Sequence, residues 1–424
     1  MPAVRKLACT LLATTLVVAH ANASSANEHD IPGTAGAKTV TGATEPPRPA
    51  FYEPPASITG KPGSVIRSEA ADTVADPLKV HDKNFTHRRV MYTTKDRQGH
   101  PIAATGLVIV PKARWIGPGK KRPLIVHAPG TQGTGDRCVA SRQFQKFSQY
   151  EILFMKDLLL RGYAIAVPDY QGLGTPGTHT YMVRGAQAHA VLDMARAARS
   201  MDLPGIDGST PIGLNGYSQG GGAVAAAAEL APEYAPELDI KGVAAGAVPA
   251  NLAAVAEKID GGPYAAFGLY SALGLFSSYH LDPKKYVNDK GIDLLKKAEN
   301  HCTLELKTFK NLDTAKYTQT GKKLTSFFDT APLKDVIEDN RIGRRTPKAP
   351  VLITHARGDD VIPYAVGKQL AKDWCSRGGD VQFRTHLDGM HALGAFPHAA
   401  AAQLWFEGRF AGKTNQRSNC SSLK

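Results

Sequence analysis

One pentapeptide, Gly216–Gly220, constrains the fold of this chain more than any other feature. It reads Gly-Tyr-Ser-Gln-Gly and has Ser218 at its centre. An apolar run (211–215) precedes it, and an alanine-rich run (223–230) follows it. A strand, a sharp turn and a helix in this order predict a nucleophile elbow, in which glycines let the backbone pass close to a strained serine. The alternative is an ordinary glycine-rich turn with no catalytic role.

An acidic pair follows a second apolar run. Residues 350–355 predict a buried parallel strand, which leads directly to Asp359 and Asp360. Open α/β sheets place their chemistry beyond the carboxyl ends of the strands. An acid here, following Ser218 in the chain, fits the α/β-hydrolase order of serine, acid and histidine. Either aspartate could instead cap the helix predicted after Pro363.

The third candidate is His391, which follows a strand predicted for 381–387. Neighbouring glycines give this segment the freedom to reach a serine. His386 lies within the predicted strand and His398 within the closing helix, so only His391 of these three is expected in a loop. The predicted catalytic triad is Ser218, Asp359 and His391.

A hydrolase of this kind also needs two backbone N–H groups that bind the developing oxyanion. Gln219 follows the serine at the start of the predicted helix and supplies the first. The second comes from the loop after the strand predicted for 123–128. Because Pro129 has no N–H, Thr131 is the predicted donor and Gln132 is the alternative.

Strands and helices alternate along most of the chain. This alternation is typical of a mostly parallel sheet with helices on both faces, and it predicts an α/β-hydrolase fold. The predicted strands are 87–95, 101–111, 123–128, 163–169, 240–248, 350–355 and 381–387, and the predicted helices include 147–161, 183–201 and 364–375.

The alternation stops near residue 251 and resumes near residue 349, and helical patterning fills the interval. Its apolar and aromatic start, 265–276, either packs the core of a helical cap or forms the wall of an acyl-binding pocket. The predicted organisation is a signal peptide (1–23), an extended arm (24–63), a hydrolase core (64–250 and 349–424) and a helical cap (251–348).

The first 23 residues are typical of a secretory signal. Arg5 and Lys6 precede an apolar stretch, 7–19, which is too short to span a bilayer, and small residues at 21–23 offer a cleavage site. We therefore expect a secreted protein, extracellular or periplasmic, with no transmembrane segment. Four cysteines remain after cleavage; they allow three disulfide pairings, or free thiols in a reducing compartment.

A formal net charge of +13 can indicate binding to a polyanion such as a nucleic acid or an anionic membrane surface. About half of the excess falls in 284–348, where it is dispersed along helical segments without aromatic residues for base stacking. We expect no nucleic acid partner, and transient contact with an anionic lipid interface is the alternative. No zinc-ligand spacing or phosphate-binding loop occurs, so neither a metal nor a cofactor is expected.

From about residue 50 onward, several segments resemble the secretory lipase family in order and spacing. They are Phe51-Tyr52-x-Pro54-Pro55, Gly216-Tyr217-Ser218-x-Gly220-Gly221, the segment 230–238, Gly261-Gly262-Pro263-Tyr264 and Asp359-x-x-Ile362-Pro363. The resemblance implies an α/β-hydrolase core, a helical cap, carboxylic-ester hydrolysis and the disulfides Cys138–Cys302 and Cys375–Cys420. It also selects Asp359 over Asp360, whereas the loop 127–136 departs from the family pattern.

The residues and the resemblance together predict a secreted carboxylic ester hydrolase, a triacylglycerol lipase that cleaves lipid esters. Two alternatives on the same fold are an esterase for short or bulky soluble esters and an acyltransferase. The alternative from another class is a non-catalytic binding module, which usually lacks the serine or the histidine.

Overall fold

The computed structural model describes residues 47–71, 82–144, 149–386, 389–413 and 418–423. The predicted signal peptide and residues 24–46 of the predicted arm lie outside the described residues. The described end of the arm forms a short turn at Ala50–Tyr52, in which Phe51 and Tyr52 are buried.

One sheet of nine strands organises the described part of the chain. The strands are β1 (Val65–Ala70), β2 (Phe85–Lys95), β3 (Pro101–Pro111), β4 (Leu124–Ala128), β5 (Ala164–Pro168), β6 (Ile212–Tyr217), β7 (Ile240–Gly246), β8 (Val351–Ala356) and β9 (Val381–His386). Their order across the sheet is β1-β2-β3-β5-β4-β6-β7-β8-β9. Strands β4 to β9 are parallel, and β1 to β3 extend one edge in antiparallel pairs. The sheet is therefore mostly parallel, as the sequence predicted.

Helices cover both faces of the sheet. The helices are α1 (Ala140–Gln143), α2 (Ile152–Leu160), α3 (Arg184–Ser200), α4 (Gln219–Tyr234), α5 (Leu252–Ile259), α6 (Ala265–Ser278), α7 (Asp289–Ala298), α8 (Leu333–Asp339), α9 (Tyr364–Ser376) and α10 (His391–Phe410). Alternate residues of the buried strands point to opposite faces. Leu124 and Val126 pack in the layer that contains α3, α4 and α9, whereas Ile125 packs in the layer that contains α2 and α10.

Two elements were not predicted. β1 has no fully buried residue and contains polar side chains in succession, so it lacks the alternation that identifies a strand. α1 is only four residues long, which is too short for a helical period to be visible in the sequence.

Residues 251–348, here called the insertion, lie between β7 and β8. They contain α5 to α8 and several short 3-10 turns, and they add no strand to the sheet. The apolar and aromatic segment 265–276 lies within α6.

Both disulfides implied by the family resemblance are present. Cys138–Cys302 joins the segment after β4 to the insertion, and Cys375–Cys420 joins α9 to the C-terminal segment. The first bond therefore ties the predicted oxyanion loop to the insertion across 164 residues of chain.

Candidate active site

Ser218 lies at the sharp turn between β6 and α4. Its φ of 59° and ψ of −120° are unfavourable for a residue with a side chain. Two glycines allow the close approach that holds it there. A Cβ at Gly220 would lie 2.0 Å from the carbonyl oxygen of Ala128, and one at Gly221 would lie 2.1 Å from that of Gly246. The predicted elbow geometry therefore depends on these glycines.

The structure brings Ser218, His391 and Asp359 into one hydrogen-bonded line. His391 Nε2 lies 2.8 Å from Ser218 Oγ, and His391 Nδ1 lies 2.8 Å from Asp359 Oδ2. A carboxylate can only accept, so Nδ1 carries the proton and Nε2 is left to accept from the serine hydroxyl. This arrangement suits a serine nucleophile and a histidine base.

The carboxylate of Asp359 is held in its ionised form. It is buried, and it accepts the backbone N–H groups of Val361 at 2.9 Å and Ile362 at 2.8 Å. Burial by itself raises the pKa of Asp359, but the hydrogen bond and charge of His391 and these two N–H groups together lower it below the usual range. A carboxylate of this kind stabilises a protonated imidazole.

His391 differs from the prediction in one respect, because it is the first residue of α10 rather than a loop residue. Its backbone N–H donates to Asp360 Oδ1 at 2.8 Å, and its carbonyl oxygen accepts from the Tyr217 hydroxyl at 2.7 Å. Asp360 therefore binds the N-terminus of α10, not the helix after Pro363. Nothing in the sequence linked Asp360 to His391.

The rival histidines lie outside this line. His386 ends β9, as predicted, and His398 is buried in α10, where its Nδ1 lies 2.8 Å from the Thr354 hydroxyl. Asp169, a further acid at a strand end, is also buried and accepts from the hydroxyls of Thr105 and Ser141. It acts as an internal anchor for neighbouring loops.

Both residues predicted as oxyanion donors lie close to Ser218, one next to it in the chain and one across a shared cavity. Gln219 is the first residue of α4, so its N–H lies at a helix N-terminus. Thr131 lines a cavity together with Ser218 and His391. The N–H of Gly130 already donates to Glu151 Oε1 at 2.6 Å. Asp136, in the same loop, forms an ion pair with Arg48 at 2.6 Å.

Two apolar cavities meet at Ser218. The first runs into the insertion and is lined by Leu252, Ala272, Leu275, Phe276, Phe328 and Ile337 among others. The second lies on the Thr131 side and is lined by Phe154, Leu306 and Ala395 among others. Phe267 borders both cavities.

An exposed apolar rim lies next to the second cavity. Met390, which precedes α10, and Leu393 and Phe396 in its first turns are spaced three residues apart, and each is more than half exposed. Phe396 packs edge-to-face on Phe154, a lining residue of that cavity, with ring centroids 5.3 Å apart. Leu153, beside Phe154, is also exposed.

Comparison with known proteins shows the family to which this chain belongs. The model of the secretory lipase family matches residues 141–418. The chain belongs to the secretory lipase family. The matched range includes the elbow, the insertion and both remaining residues of the candidate triad.

Similar proteins come from bacteria and fungi. A probable inactive lipase of Mycobacterium tuberculosis is 30% identical over 86% of this chain and 82% of its own length. The secreted triacylglycerol lipase LIP3 of Malassezia restricta is 28% identical over 87% of this chain and 80% of its own length. These relatives thus include one named a secreted triacylglycerol lipase and one named a probable inactive lipase.

Solved structures support the fold. The closed state of Candida antarctica lipase A superimposes with a TM-score of 0.76 at 22% identity and covers 87% of each chain. The rice cell wall degrading esterase LipA of Xanthomonas oryzae gives 0.64 at 20% identity, over 86% of this chain and all of its own. The chain has an α/β-hydrolase fold. Among the described residues, no helix combines the length and the apolar character needed to span a bilayer.

Proposed function

We propose that this member of the secretory lipase family is a serine carboxylic ester hydrolase and cleaves lipid esters such as triacylglycerols. One observation carries the proposal: the unbroken hydrogen-bonded line from Ser218 through His391 to Asp359. Family membership alone is insufficient, because one relative is named a probable inactive lipase. A complete set of three side chains in reacting geometry argues against a non-catalytic binding module.

The proposed mechanism begins when Ser218 Oγ attacks the ester carbonyl carbon and His391 Nε2 takes the hydroxyl proton. Asp359 orients the imidazole and stabilises its positive charge. The N–H groups of Gln219 and Thr131 bind the oxyanion, and loss of one such donor typically costs about 3–4 kcal/mol of transition-state stabilisation.

Collapse of the tetrahedral intermediate breaks the bond to the alcohol, which leaves with the proton held by His391. A water molecule then attacks the acyl-enzyme while His391 takes its proton. A second collapse releases the carboxylic acid and returns the proton to Ser218.

The cavity within the insertion is evidence that the substrate has a long apolar acyl group. It begins at Ser218 and is lined by apolar side chains of α5 and α6, such as Leu252 and Ala272. Burial of an alkyl chain against such a surface is favourable by about 0.8 kcal/mol of free energy per methylene group. The insertion would then act as a cap over the site, and short soluble esters would leave most of this cavity unused.

The exposed rim formed by Met390, Leu393 and Phe396 supports transient contact with a lipid surface. Exposed apolar patches beside a binding cavity commonly mark interaction sites. A lipid aggregate docked there would present its esters next to Ser218. Secretion is part of the proposal, because relatives such as the Malassezia enzyme are named as secreted lipases.

The deciding experiment measures hydrolysis of p-nitrophenyl esters from acetate to palmitate by the wild type and Ser218→Ala. We expect hydrolysis of long-chain esters by the wild type and a loss of several orders of magnitude in kcat for the variant. Activity on short esters alone would support the esterase alternative. Unchanged turnover in Ser218→Ala would refute the proposed mechanism.

A further inference from the structure

A series of buried polar side chains runs beneath the candidate triad without belonging to it. The members, here called the buried polar chain, are Thr354, His398, Asn215, His127 and Glu151, and each is at most 3% exposed. Successive contacts are 2.8 Å from Thr354 Oγ1 to His398 Nδ1, 3.2 Å from His398 Nε2 to Asn215 Oδ1, 2.9 Å from Asn215 Nδ2 to His127 Nδ1 and 2.8 Å from His127 Nε2 to Glu151 Oε2.

These hydrogen bonds have a single direction. The amide nitrogen of Asn215 can only donate, so His127 Nδ1 accepts and His127 Nε2–H donates to Glu151. The amide oxygen of Asn215 accepts from His398 Nε2–H, so His398 Nδ1 accepts from the threonine hydroxyl. Burial lowers the pKa of His398 to about 3, which keeps it neutral as this pattern requires. Glu151 is the final acceptor.

The other oxygen of Glu151 belongs to a closed ring of hydrogen bonds. Glu151 Oε1 accepts the N–H of Gly130 at 2.6 Å, and the carbonyl oxygen of Gly130 accepts from Gln132 Nε2 at 3.0 Å. Gln132 Oε1 accepts from Gln149 Nε2 at 2.9 Å, and Gln149 Oε1 accepts the N–H of Glu151 at 3.1 Å. The ring thus fixes both sides of Gly130.

Fixing Gly130 also fixes the N–H of Thr131. In a planar trans peptide, the carbonyl and the following N–H point in opposite directions. The bond from Gln132 to the Gly130 carbonyl therefore sets the direction of the Thr131 N–H. The preceding carbonyl, that of Pro129, accepts from the Tyr170 hydroxyl at 2.8 Å, so the loop is restrained there as well.

We propose that Glu151 is a positioning residue, which directs the Thr131 N–H at the oxyanion by holding Gly130, and that the buried polar chain keeps Glu151 in its accepting role. This inference rests on the proposed function, since it needs an oxyanion at Ser218. The competing explanation is that Glu151 only contributes to stability.

The test is Glu151→Gln, which keeps the shape of the side chain but leaves one accepting oxygen instead of two. The amide N–H group of the glutamine then faces the Gly130 N–H or the His127 N–H, and the His127 contact is restored only if the whole buried polar chain reverses, with both histidines changing tautomer and the Asn215 amide turning over. We expect kcat to fall roughly 100-fold, near the lower end for loss of an oxyanion donor, while KM changes by less than about twofold.

Binding of a trifluoromethyl ketone separates positioning from stability, because Ser218 adds to it and forms a tetrahedral oxyanion. Its inhibition constant should rise in step with the loss of kcat/KM, whereas the affinity of an unreactive ether analogue should not change. The pH profile of kcat/KM should keep its shape, because the variant leaves His391 and Asp359 intact.

Asp193→Asn is the matched control. Asp193 is also a buried carboxylate with both oxygens occupied, but its partners Thr94, Tyr234 and Arg196 lie outside the site. Its kcat should stay within about twofold of the wild type. Gln132→Met tests the same ring whether or not Glu151→Gln folds or the buried polar chain reverses, since it removes the donor to the Gly130 carbonyl, and a drop in kcat with unchanged KM is expected again.

The inference would be overturned if Gln132→Met, together with Glu151→Gln where it folds, were less stable but retained kcat and ketone affinity. In that case the wild type would still hydrolyse esters and a phosphonate would still label Ser218, so the proposed function would stand. Full activity of Ser218→Ala would instead remove the proposed function and, with it, the role of Glu151.

Discussion

Asp360 accepts the backbone N–H of His391 at 2.8 Å, while its neighbour Asp359 binds the imidazole of the same residue at 2.8 Å. Two consecutive acids thus hold one histidine at two points. Asp360 fixes the start of α10, where an unpaired N–H needs an acceptor, and Asp359 fixes the ring. The sequence presented the two acids as alternatives for one role, and their positions show two different roles.

This division of roles leads to the first prediction. Asp359→Asn should lower kcat by about 10⁴-fold, because an amide N–H facing His391 Nδ1 favours the wrong tautomer. Asp360→Asn retains an oxygen that accepts from the His391 backbone, so its kcat should stay within about threefold of the wild type. Steady-state kinetics on one soluble ester compares them, and equal losses would contradict the assignment of Asp359 as the orienting acid.

The second prediction concerns the cavity inside the insertion. Ala272→Trp places a large side chain among the lining residues. The ratio of palmitate to butyrate ester hydrolysis should fall roughly tenfold or more, because the long chain loses its apolar surface while the short chain does not need it. Ser277→Trp adds the same side chain at an exposed position of α6 and should leave the ratio unchanged. A constant ratio in Ala272→Trp would mean that acyl chains bind elsewhere.

The third prediction compares the two disulfides. Replacing either pair by alanine should lower the free energy of unfolding by about 2–5 kcal/mol. Only loss of Cys138–Cys302 should also lower kcat. Thr303, next to Cys302, donates from its hydroxyl to the carbonyl oxygen of Thr131 at 2.8 Å and so restrains the predicted oxyanion loop. Denaturant unfolding and kinetics of both double variants test this, and a similar loss of kcat in both would exclude a specific effect on the loop.

The fourth prediction is a loss of stability in mild acid. Burial lowers the pKa of His179 from 6.5 to about 4. Above pH 6.5, His179 is neutral in both the folded and the unfolded chain and adds no pH dependence. As the pH falls from 6.5 to about 4, only the unfolded chain takes up the proton, so the folded state loses up to about 3 kcal/mol.

His179→Gln provides the comparison, because a glutamine can accept from Gln219 and donate to the carbonyl of Gln171 as His179 does. Urea unfolding at pH 7 and pH 4.5 should show a smaller acid loss for this variant than for the wild type. The same loss in both proteins would show that His179 is not responsible.

The fifth prediction tests the elbow. Gly220→Ala should lower stability and activity strongly, because its Cβ would lie 2.0 Å from a backbone oxygen that cannot move aside without shifting β4. Gly222→Ala is the control, since its Cβ would meet only two ring carbons of Pro249, at 3.2 and 3.3 Å. Its free energy of unfolding should change by no more than about 1 kcal/mol. Equal effects of the two substitutions would contradict the close-approach explanation.

Much of the framework follows from local sequence. The strand predicted for 101–111 coincides with β3, and the helix predicted for 364–375 differs from α9 by one residue at its end. The sequence reveals β3 as a continuous apolar run, because the strand is buried on both faces. It reveals α9 by apolar residues that repeat with the helical period, because one face of the helix is buried. β1 escaped prediction because an edge strand with partly exposed residues has no such repeat.

The candidate nucleophile, acid and base were also accessible from sequence, since each follows an apolar strand and their order in the chain is specific. What the tertiary structure alone decided is how polar groups pair across the sheet. Asp360 and His391 are 31 residues apart in the chain, and Glu151 is 24 residues from His127 and 21 from Gly130. Hydrogen-bond pairing depends on angstrom-scale distances between side chains brought together by folding, and no periodic pattern in the sequence encodes them.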